Sequence, residues 1–368
     1  MSIKKDKFSI KDKLYMELAI DLAKSREGQT GTNPSVGCVI VKNDNIISIG
    51  QTSFGGRPHA EHNAIKNCTE SLMDSKMYVT LEPCNHYGIT PPCTQAIIKS
   101  RITEVIYSIA DIDKRVHKKT KKILISENIK VKSGLLKNKI KNFYGSYFYN
   151  RKKNLPFITG KIAISKNNLI YSKNNKKITN ALSDKFTHYL RYKNDSIMIS
   201  YKTLNKDNPK LTCRLMNLKK FSPKRIILDN KLDLDIQSYL FRTSNNKNTI
   251  IFFNEADKSK VAEFKKSKIN LIKSNINKDK KFNIKMIMRK LYKLECRNIL
   301  IEGGNDLTTF LSKKKLFNEF YLFKSSKKLS KLVEYKEFKG LKILNQKYKN
   351  KLKLKSNFGK DTVILYKN

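Results

Sequence analysis

The chain has 368 residues, which is long enough for two domains that each bury a core of their own. Hydrophobic residues make up 39% of it, so wholesale disorder is excluded, and no apolar run approaches the length of a membrane span. The formal net charge is +46, yet arginine supplies only eleven of the 77 basic residues, and the lysines are spread along the whole chain.

The first 150 residues predict an alternation of helices and strands. Leucines at every fourth position predict a helix over 11–25, and the apolar run 36–41 that follows Asn33-Pro34-Ser35 predicts a buried strand. Further strands are predicted at 46–50, 77–81 and 105–107, helices at 59–67 and 93–98, and a helix, a short strand and a basic helix within 123–149. This alternation indicates an α/β fold in which helices cover a mixed sheet.

The basic run Arg151-Lys152-Lys153-Asn154 marks the predicted boundary between domains of residues 1–150 and 151–368. Apolar strands resume after it, and helical segments lie between them, around 182–192, 283–295 and 306–315. The strands are predicted at 157–164, 196–200, 226–228, 250–253, 299–301 and 363–366. The second domain is therefore also predicted to be α/β, with no internal repeat of the first.

The pattern with the most chemical content is Pro58-His59-Ala60-Glu61, followed by Pro83-Cys84, eight further residues and Cys93. One imidazole and two thiolates supply three ligands for Zn²⁺ and leave a fourth position for water. Glu61 lies two residues beyond the histidine and is free to shuttle protons, which is the arrangement of zinc-dependent nucleobase deaminases. Two alternatives stay open: His62 or His86 completes a four-ligand structural site, or the cysteines are simply buried.

The remaining cysteines show no spacing typical of a disulfide framework. Cys38, Cys68, Cys213 and Cys296 are predicted to be ordinary buried thiols of a reducing compartment. The stretch Met1–Ile10 contains no apolar region of the kind found in signal peptides. We therefore expect a cytoplasmic protein that is not bound to a membrane.

Glu302-Gly303-Gly304 lies between a predicted strand and a predicted helix. Glycines at such a junction let backbone amides approach a phosphate at the start of the helix. An ordinary tight turn is the alternative. The full Gly-x-Gly-x-x-Gly fingerprint is absent, so a Rossmann domain is not indicated.

On these residues the chain resembles the bifunctional riboflavin-biosynthesis deaminase/reductase family along nearly its whole length. The eight residues between Cys84 and Cys93 look like the lengthened loop of that family, and Asn33–Gly37 matches its substrate-side signature. The resemblance implies an N-terminal cytidine-deaminase-like α/β/α domain and a C-terminal dihydrofolate-reductase-like α/β domain. It also implies that Asn33 contacts the pyrimidine.

The stretch Thr203–Arg214 resembles the reductase motif T-V-L-x-D-[DN]-P-x-L-T-x-R of the family. This match implies that Thr203 and Asp207 lie beside the nicotinamide cofactor, and that Leu211 and Arg214 lie beside the substrate. Shorter matches imply two further substrate contacts, Arg191 and Glu302, and two further cofactor contacts, Ala163 and Gly304. Lys177 holds the position of a third cofactor contact of the family.

The chain departs from the family pattern at four places. Lys166-Asn167-Asn168 replaces Leu-Asp-Gly, and Lys177 stands where a tryptophan usually precedes Ile-Thr. Both changes affect the cofactor side of the reductase. Ile89 replaces the loop arginine expected after Gly88, and Val116–Lys119 replaces a Gly-rich stretch. These two changes affect substrate binding at the deaminase.

The resemblance implies a zinc-dependent deamination of a diaminopyrimidine ribosyl phosphate, followed by reduction of the ribosyl group to ribityl with NADPH. It also implies a phosphorylated pyrimidine as the bound partner. We expect a homo-oligomer. One alternative is an active deaminase with a non-catalytic second domain. A lower-ranked alternative is a nucleic-acid deaminase with a basic binding domain, which the net charge favours. Compositional drift toward lysine, asparagine and isoleucine explains the same charge without a nucleic-acid partner.

Overall fold

The computed structural model describes residues 8–173 and 177–368, so most of the stretch Met1–Ile10 lies outside the described residues. The chain divides into two compact units, residues 1–154 and 155–368. Within the described ranges, no helix combines the length and the apolar character that crossing a bilayer requires.

In the first unit, helices and strands alternate as predicted. The first helix begins at a capping box, in which the Ser9 hydroxyl accepts from the Asp12 N–H (3.0 Å) and the Asp12 carboxylate accepts from the Ser9 N–H (2.7 Å). The elements in chain order are α1 (Ile10–Ser25), β1 (Gly37–Lys42), β2 (Asn45–Gln51), α2 (Ala60–Asn67), β3 (Lys76–Leu81), α3 (Cys93–Lys99), β4 (Glu104–Ile109), α4 (Lys119–Ser126), β5 (Lys130–Ser133), α5 (Lys137–Lys141) and α6 (Gly145–Lys153).

One prediction in this unit is wrong in detail. The basic helix expected to end near residue 149 is two helices, α5 and α6, separated by a turn at 142–144. Tyr144 lies in that turn and is only 1% exposed. Its ring enters the core, so the chain changes direction there instead of continuing one solvent-facing helix.

The sheet of the first unit is mixed, with the strand order β2-β1-β3-β4-β5. Strand β1 runs antiparallel to β2 and β3, whereas β3, β4 and β5 are parallel. The carboxyl ends of β3 and β4 therefore meet at one edge of the sheet, and the chain that follows β3 carries Cys84.

Two glycines let helices approach this sheet closely. A Cβ atom on Gly37 of β1 would lie 1.9 Å from the Ala19 carbonyl oxygen of α1, and one on Gly50 of β2 would lie 2.2 Å from the Ala60 carbonyl oxygen of α2. A side chain at either position would force the helix away. Because α2 begins directly after His59, its close packing determines where that imidazole lies.

The second unit contains a sheet with the strand order β11-β10-β9-β8-β12-β6-β13-β16-β15 and a separate pair, β14-β7. The elements in chain order are β6 (Phe157–Ile164), β7 (Leu169–Ser172), α7 (Ala181–Lys193), β8 (Ser196–Ser200), α8 (Tyr201–Asp207), β9 (Lys224–Leu228), α9 (Tyr239–Arg242), β10 (Thr249–Phe253), α10 (Lys258–Lys266), β11 (Asn270–Lys273), α11 (Ile284–Lys293), β12 (Asn298–Ile301), α12 (Asn305–Lys313), β13 (Glu319–Lys324), β14 (Tyr335–Glu337), α13 (Leu341–Lys347), β15 (Asn350–Lys353) and β16 (Thr362–Lys367).

The strands from β11 to β13 in that order are parallel, and β16 and β15 complete the sheet in antiparallel pairings. Successive residues of β12 face opposite cores: Ile299 and Ile301 pack in one apolar cluster and Leu300 in the other. Both faces of the parallel sheet are thus buried, which explains why its strands are continuous apolar runs in the sequence.

The predicted strands and helices of the second unit are confirmed, and the α/β fold class with them. Among the elements that the sequence analysis did not predict are α8, which overlaps the start of the Thr203–Arg214 motif, and β13, which pairs with both β6 and β16. Of the four cysteines predicted to be buried thiols, Cys38, Cys213 and Cys296 are buried. Cys68 is only half-buried, because it ends α2 at the surface.

Candidate active sites

Three side chains that bind metals through nitrogen or sulfur converge in the first unit. His59 caps the start of α2, Cys84 lies three residues after β3, and Cys93 is the first residue of α3. Their donor atoms lie within 4.8 Å of one another, and no other such group occurs within residues 8–173 and 177–368. His59 Nδ1 is 3.3 Å from Cys93 Sγ and 3.6 Å from Cys84 Sγ, and the two sulfur atoms are 3.4 Å apart.

These separations fit a tetrahedral zinc ion. Zn–S bonds of about 2.3 Å and Zn–N bonds of about 2.0–2.1 Å place ligand atoms roughly 3.5–3.8 Å apart at tetrahedral angles. His62 Nδ1 lies 3.5 Å from Cys93 Sγ but outside the three-residue group, and His86 Nδ1 is buried without a hydrogen-bond partner. In the part of the chain that the structure describes, neither histidine completes a four-ligand set, so the fourth position is open.

The two thiols have opposite pKa perturbations. The contact with the Cys93 sulfur, together with His59, lowers the pKa of Cys84 to about 4 despite its burial. Burial raises the pKa of Cys93 well above its ordinary value. The Cys93 backbone N–H also donates to Cys84 Sγ (3.3 Å). The protein therefore favours a thiolate at Cys84, the form that binds metals.

Glu61 lies in the first turn of α2 and is 4% exposed. Burial raises the pKa of its carboxyl above the ordinary value, while His59 acts in the opposite direction. A carboxyl group with a raised pKa can take up and release a proton at a pH closer to neutral. Glu61 is thus suited to proton transfer beside the three ligands.

His59, Glu61 and Cys84 line a cleft of about 140 Å³. Asn33, predicted to contact the pyrimidine, lines the same cleft. Its Nδ2 donates to the Gly56 carbonyl oxygen (2.9 Å), which orients the side chain and leaves Oδ1 to accept from a ligand. The structure therefore brings Asn33, Glu61 and the metal ligands of the first unit together.

A buried hydrogen-bond network supports the loop that carries Asn33. The Tyr144 hydroxyl donates to the Ser35 carbonyl oxygen (3.0 Å) and lies 2.7 Å from Thr80 Oγ1. Thr80 Oγ1 in turn accepts from the Gly37 N–H (3.2 Å). Residues far apart in sequence thus hold the Asn33 loop against β1 and β3.

Sequence reasoning missed other polar residues of this cleft. Glu82 is 2% exposed, accepts from the backbone N–H groups of Asp111 and Lys118 (3.2 Å each), and has a pKa raised by burial. Tyr147 donates to the Asp111 carboxylate (3.1 and 3.2 Å). Glu82 adjoins Pro83-Cys84, so the motif itself pointed to it. No local signal identified Tyr147, because only the packing of α6 brings it to the site.

The second unit has a larger cleft, of about 1520 Å³, at the carboxyl ends of β6, β8, β9 and β12. This edge of an open parallel sheet is where α/β proteins bind ligands. Five predicted site residues line the cleft, namely Ala163, Thr203, Asp207, Glu302 and Gly304. Lysines outnumber carboxylates in the lining by eight to five, so the cleft favours anionic ligands. The eight are Lys161, Lys173, Lys202, Lys206, Lys280, Lys281, Lys336 and Lys339.

Glu302 lies between two cations at the edge of this cleft. Arg191, from the last turn of α7, donates to both Glu302 oxygens (2.8 and 2.9 Å), and Lys161 Nζ lies 3.6 Å from Oε1. Burial by itself would raise the pKa of Glu302, but Arg191 and Lys161 lower it to about 2. Burial also lowers the pKa of Lys161. Lys161 was missed by the sequence analysis, since an isolated lysine in a strand carries no signal.

The other predicted reductase residues lie elsewhere. Leu211 is 2% exposed and packs in an apolar core, and Arg214 is exposed, its backbone N–H donating to His188 Nδ1 (3.3 Å). Lys177 pairs with Asp184 (2.6 Å) on the surface. None of these three predicted residues is among those lining the described part of the cleft.

Two family models match the chain. The model described as the RibD C-terminal domain matches residues 168–364. The model described as the cytidine and deoxycytidylate deaminase zinc-binding region matches residues 9–109. The second of these ranges includes the metal-binding cluster and Glu61, and the first includes Thr203–Arg214 and Glu302.

Relatives match over nearly the whole chain. The riboflavin biosynthesis protein RibD of Aquifex aeolicus (strain VF5) is 33% identical over 359 residues, covering 97% of this chain and 98% of that protein. The protein of the same name from Actinobacillus pleuropneumoniae is 30% identical over 360 residues, covering 96% and 94%.

Solved structures match equally far. The structure of a diaminohydroxyphosphoribosylaminopyrimidine deaminase/5-amino-6-(5-phosphoribosylamino)uracil reductase from Thermotoga maritima has a TM-score of 0.81 at 25% identity, covering 97% of this chain and 98% of that one. The RibD structure of Acinetobacter baumannii (form 1) has a TM-score of 0.84 at 24% identity with the same coverage, which is a likeness of fold. The predicted pairing of a cytidine-deaminase-like unit with a reductase unit is confirmed.

Proposed function

This chain belongs to the RibD family of riboflavin-biosynthesis proteins, and from that premise we propose which of its residues carry out the two reactions. The protein is a bifunctional enzyme, a zinc-dependent deaminase and an NADPH-dependent reductase. The proposed substrate of the first unit is a diaminopyrimidine ribosyl phosphate, and that of the second is the deaminated product. The observation that carries the proposal is the cluster of His59, Cys84 and Cys93 beside the buried Glu61.

In the deaminase unit, His59, Cys84 and Cys93 hold the zinc ion. When bound, zinc supplies the Lewis acidity that makes a water molecule nucleophilic near neutral pH. Glu61 removes a proton from the attacking water as the carbon–oxygen bond forms at the amino-bearing ring carbon. It then transfers that proton to the departing amine, so that ammonia leaves as the carbon–nitrogen bond breaks. Asn33 orients the pyrimidine through Oδ1.

In the reductase unit, the bound NADPH supplies the hydride. Ala163, Thr203, Asp207 and Gly304 bind the cofactor, and a Cβ atom at Gly304 would lie 3.1 Å from Thr203 Oγ1, so the two residues form one continuous wall. Glu302 binds the ribosyl hydroxyls.

The product needs a proton as well as the hydride. Lys161 donates it, because burial lowers its pKa and its Nζ lies beside Glu302 in the cleft. Arg191, from α7, stabilises the ionised Glu302 by donating to both of its carboxylate oxygens.

The test is mass spectrometry of the product after the zinc-loaded full chain is incubated with the diaminopyrimidine ribosyl phosphate and NADPH. We expect an amino-to-oxo exchange together with a gain of two hydrogens. Exchange without the two hydrogens would indicate a non-catalytic second unit. An unchanged mass of the pyrimidine compound would overturn the proposed substrate and favour a nucleic acid in its place.

Glu61→Gln tests the proton-transfer role separately. This variant keeps the three ligands and the shape of the side chain but cannot accept a proton. We expect it to bind zinc with the stoichiometry of the wild type and to lose deamination by roughly 10²–10⁴-fold. Reduction of pre-formed deaminated substrate should be unchanged. Full deamination by this variant would remove Glu61 from the mechanism.

The proposal also includes a cytoplasmic location and a homo-oligomeric state. The six cysteines are all free thiols in the structure, which agrees with a reducing compartment. Light scattering of the purified full chain measures the oligomeric state directly.

A further inference from the structure

Arginine is rare in this chain, and three arginines line the deaminase cleft. Arg57, Arg115 and Arg151 all belong to its lining, although the chain has eleven arginines among 77 basic residues. Arginine differs from lysine in presenting a planar fork of donors that matches carboxylates and phosphates. A protein that uses lysine at most basic positions thus places three guanidinium groups in the cleft that contains its metal-binding group.

Two of the three arginines are engaged by one carboxylate. Arg115 Nη2 and Nε lie 2.6 Å and 3.0 Å from the two oxygens of Asp113, and Arg151 Nη1 lies 3.9 Å from the same carboxylate. Asp113 offsets one of these two positive charges, and the Asp111 carboxylate lines the same cleft. The pKa of Asp113 is lowered to about 2, chiefly by its hydrogen bond with Arg115, so the carboxylate is ionised.

Arg57 is different, because no carboxylate among the described residues lies within ion-pair distance of it. Its Nη1 donates to Thr90 Oγ1 (2.7 Å) in the loop between Cys84 and Cys93. The same nitrogen is 3.5 Å from His59 Nε2. His59 Nδ1 faces the two sulfur atoms, so a metal-binding His59 carries its proton on Nε2, and two donors then face each other without a hydrogen bond. Most of the Arg57 fork therefore remains available to a ligand.

The loop passes Arg57 without a side chain in between. A Cβ atom on Gly88 would lie 3.4 Å from Arg57 Nη2, and Gly88 lines the cleft. Ile89, which stands where the family resemblance leads us to expect an arginine, is 87% exposed and supplies no charge. Arg57, two residues before the His59 cap of α2, thus brings a guanidinium to the loop segment that lacks one of its own.

We propose that Arg57 is a specificity-determining residue of the deaminase reaction, whose guanidinium binds the phosphate monoester of the substrate. This inference rests on the proposed function, because it assigns a residue to the phosphate of that substrate. The Arg57 fork, which no carboxylate of the described residues engages, makes the cleft selective for a nucleotide-like substrate over its dephosphorylated form.

The experiment compares kcat/KM for the ribosyl phosphate substrate and for the same compound after removal of the phosphate, with zinc-loaded full-length protein. We expect Arg57→Met to lower kcat/KM for the phosphorylated substrate by about tenfold to hundredfold, through KM, and to leave the dephosphorylated substrate unchanged. Arg57→Lys keeps the positive charge but not the planar fork of donors. Its kcat/KM for the phosphorylated substrate should lie between those of the wild type and Arg57→Met. Arg101→Met removes an exposed arginine of the same unit outside the cleft lining and should match the wild type.

Thr90→Val separates phosphate binding from a role in holding the loop. This variant breaks the Arg57–Thr90 hydrogen bond but keeps the guanidinium, so it should retain the preference for phosphate. The inference is overturned if Thr90→Val loses that preference as Arg57→Met does, or if Arg57→Met slows both substrates equally. A wild type that does not deaminate the phosphorylated substrate refutes the proposed function instead. A wild type that deaminates both substrates equally refutes only the role of Arg57.

Discussion

Replacing Glu302 with glutamine removes the negative charge that lies between Arg191 and Lys161 in the second unit. The two cations hold the pKa of Glu302 at about 2, against an ordinary value of 4.5. That difference corresponds to about 3 kcal/mol of favourable interaction with the ionised carboxylate. The Glu302 side chain is 15% exposed, so solvent screens this interaction little. We expect Glu302→Gln to lower the free energy of unfolding of the second unit by about 3 kcal/mol, since two buried cations then face each other.

The expected loss depends on pH in a defined direction. Because the folded-state pKa of Glu302 lies below the unfolded one, its stabilising contribution is complete above about pH 4.5 and disappears as the pH falls toward 2. The glutamine variant lacks this contribution at every pH. The difference in stability between wild type and variant should therefore be full at pH 6 and shrink progressively at lower pH.

Pulse proteolysis of the full chain in urea measures this difference, with fragments from residues 155–368 reporting on the second unit. Asp233→Asn is the matched control, because it makes the same change of charge in an exposed pair with Lys260, whose side chains are 40% and 42% exposed. Such a pair contributes about 0–1 kcal/mol. A loss for Glu302→Gln as small as that of the control, or a loss that stays constant from pH 6 to pH 3, would refute the electrostatic reasoning.

Two further predictions address the first unit. Gly37→Ala should cost several kcal/mol of stability, because its Cβ would lie 1.9 Å from the Ala19 carbonyl oxygen. Gly145→Ala, whose Cβ would meet nothing within 4 Å, should be tolerated. Urea unfolding measures the stability of both variants, and equal stabilities would contradict the packing argument. Removing zinc with a chelator should abolish deamination and leave reduction of the deaminated substrate intact. Added zinc should restore deamination. Loss of both activities together would contradict two separately folded active sites.

The proposed metal-binding residues could be named from the sequence because their chemistry is local. His59, Glu61, Cys84 and Cys93 are residue types with few alternative roles in that order, and each adjoins the start of a helix or the end of a strand. The same holds for the strands, since the apolar runs of a sheet buried on both faces are visible without knowledge of their partners. Their order in the sheet was not visible.

Other parts of the sites depend on packing between distant segments. Arg57 and Arg151 line one cleft although they are 94 positions apart in the sequence, and Lys161 meets Glu302 only because β6 pairs with β12. The side chain of Leu211, a residue of the Thr203–Arg214 motif, packs in an apolar core, and no local pattern in the sequence indicated that position.

The sequence by itself determined the fold class and pointed to the three proposed metal ligands and the proposed proton-transfer residue, because hydrophobic period and ligand chemistry are properties of short segments. Only the tertiary structure decided which charges share a cleft. The electrostatic field at each site is the sum of contributions from the charged side chains that the fold brings within a few ångströms. Because those side chains come from distant segments, no single segment predicts the field.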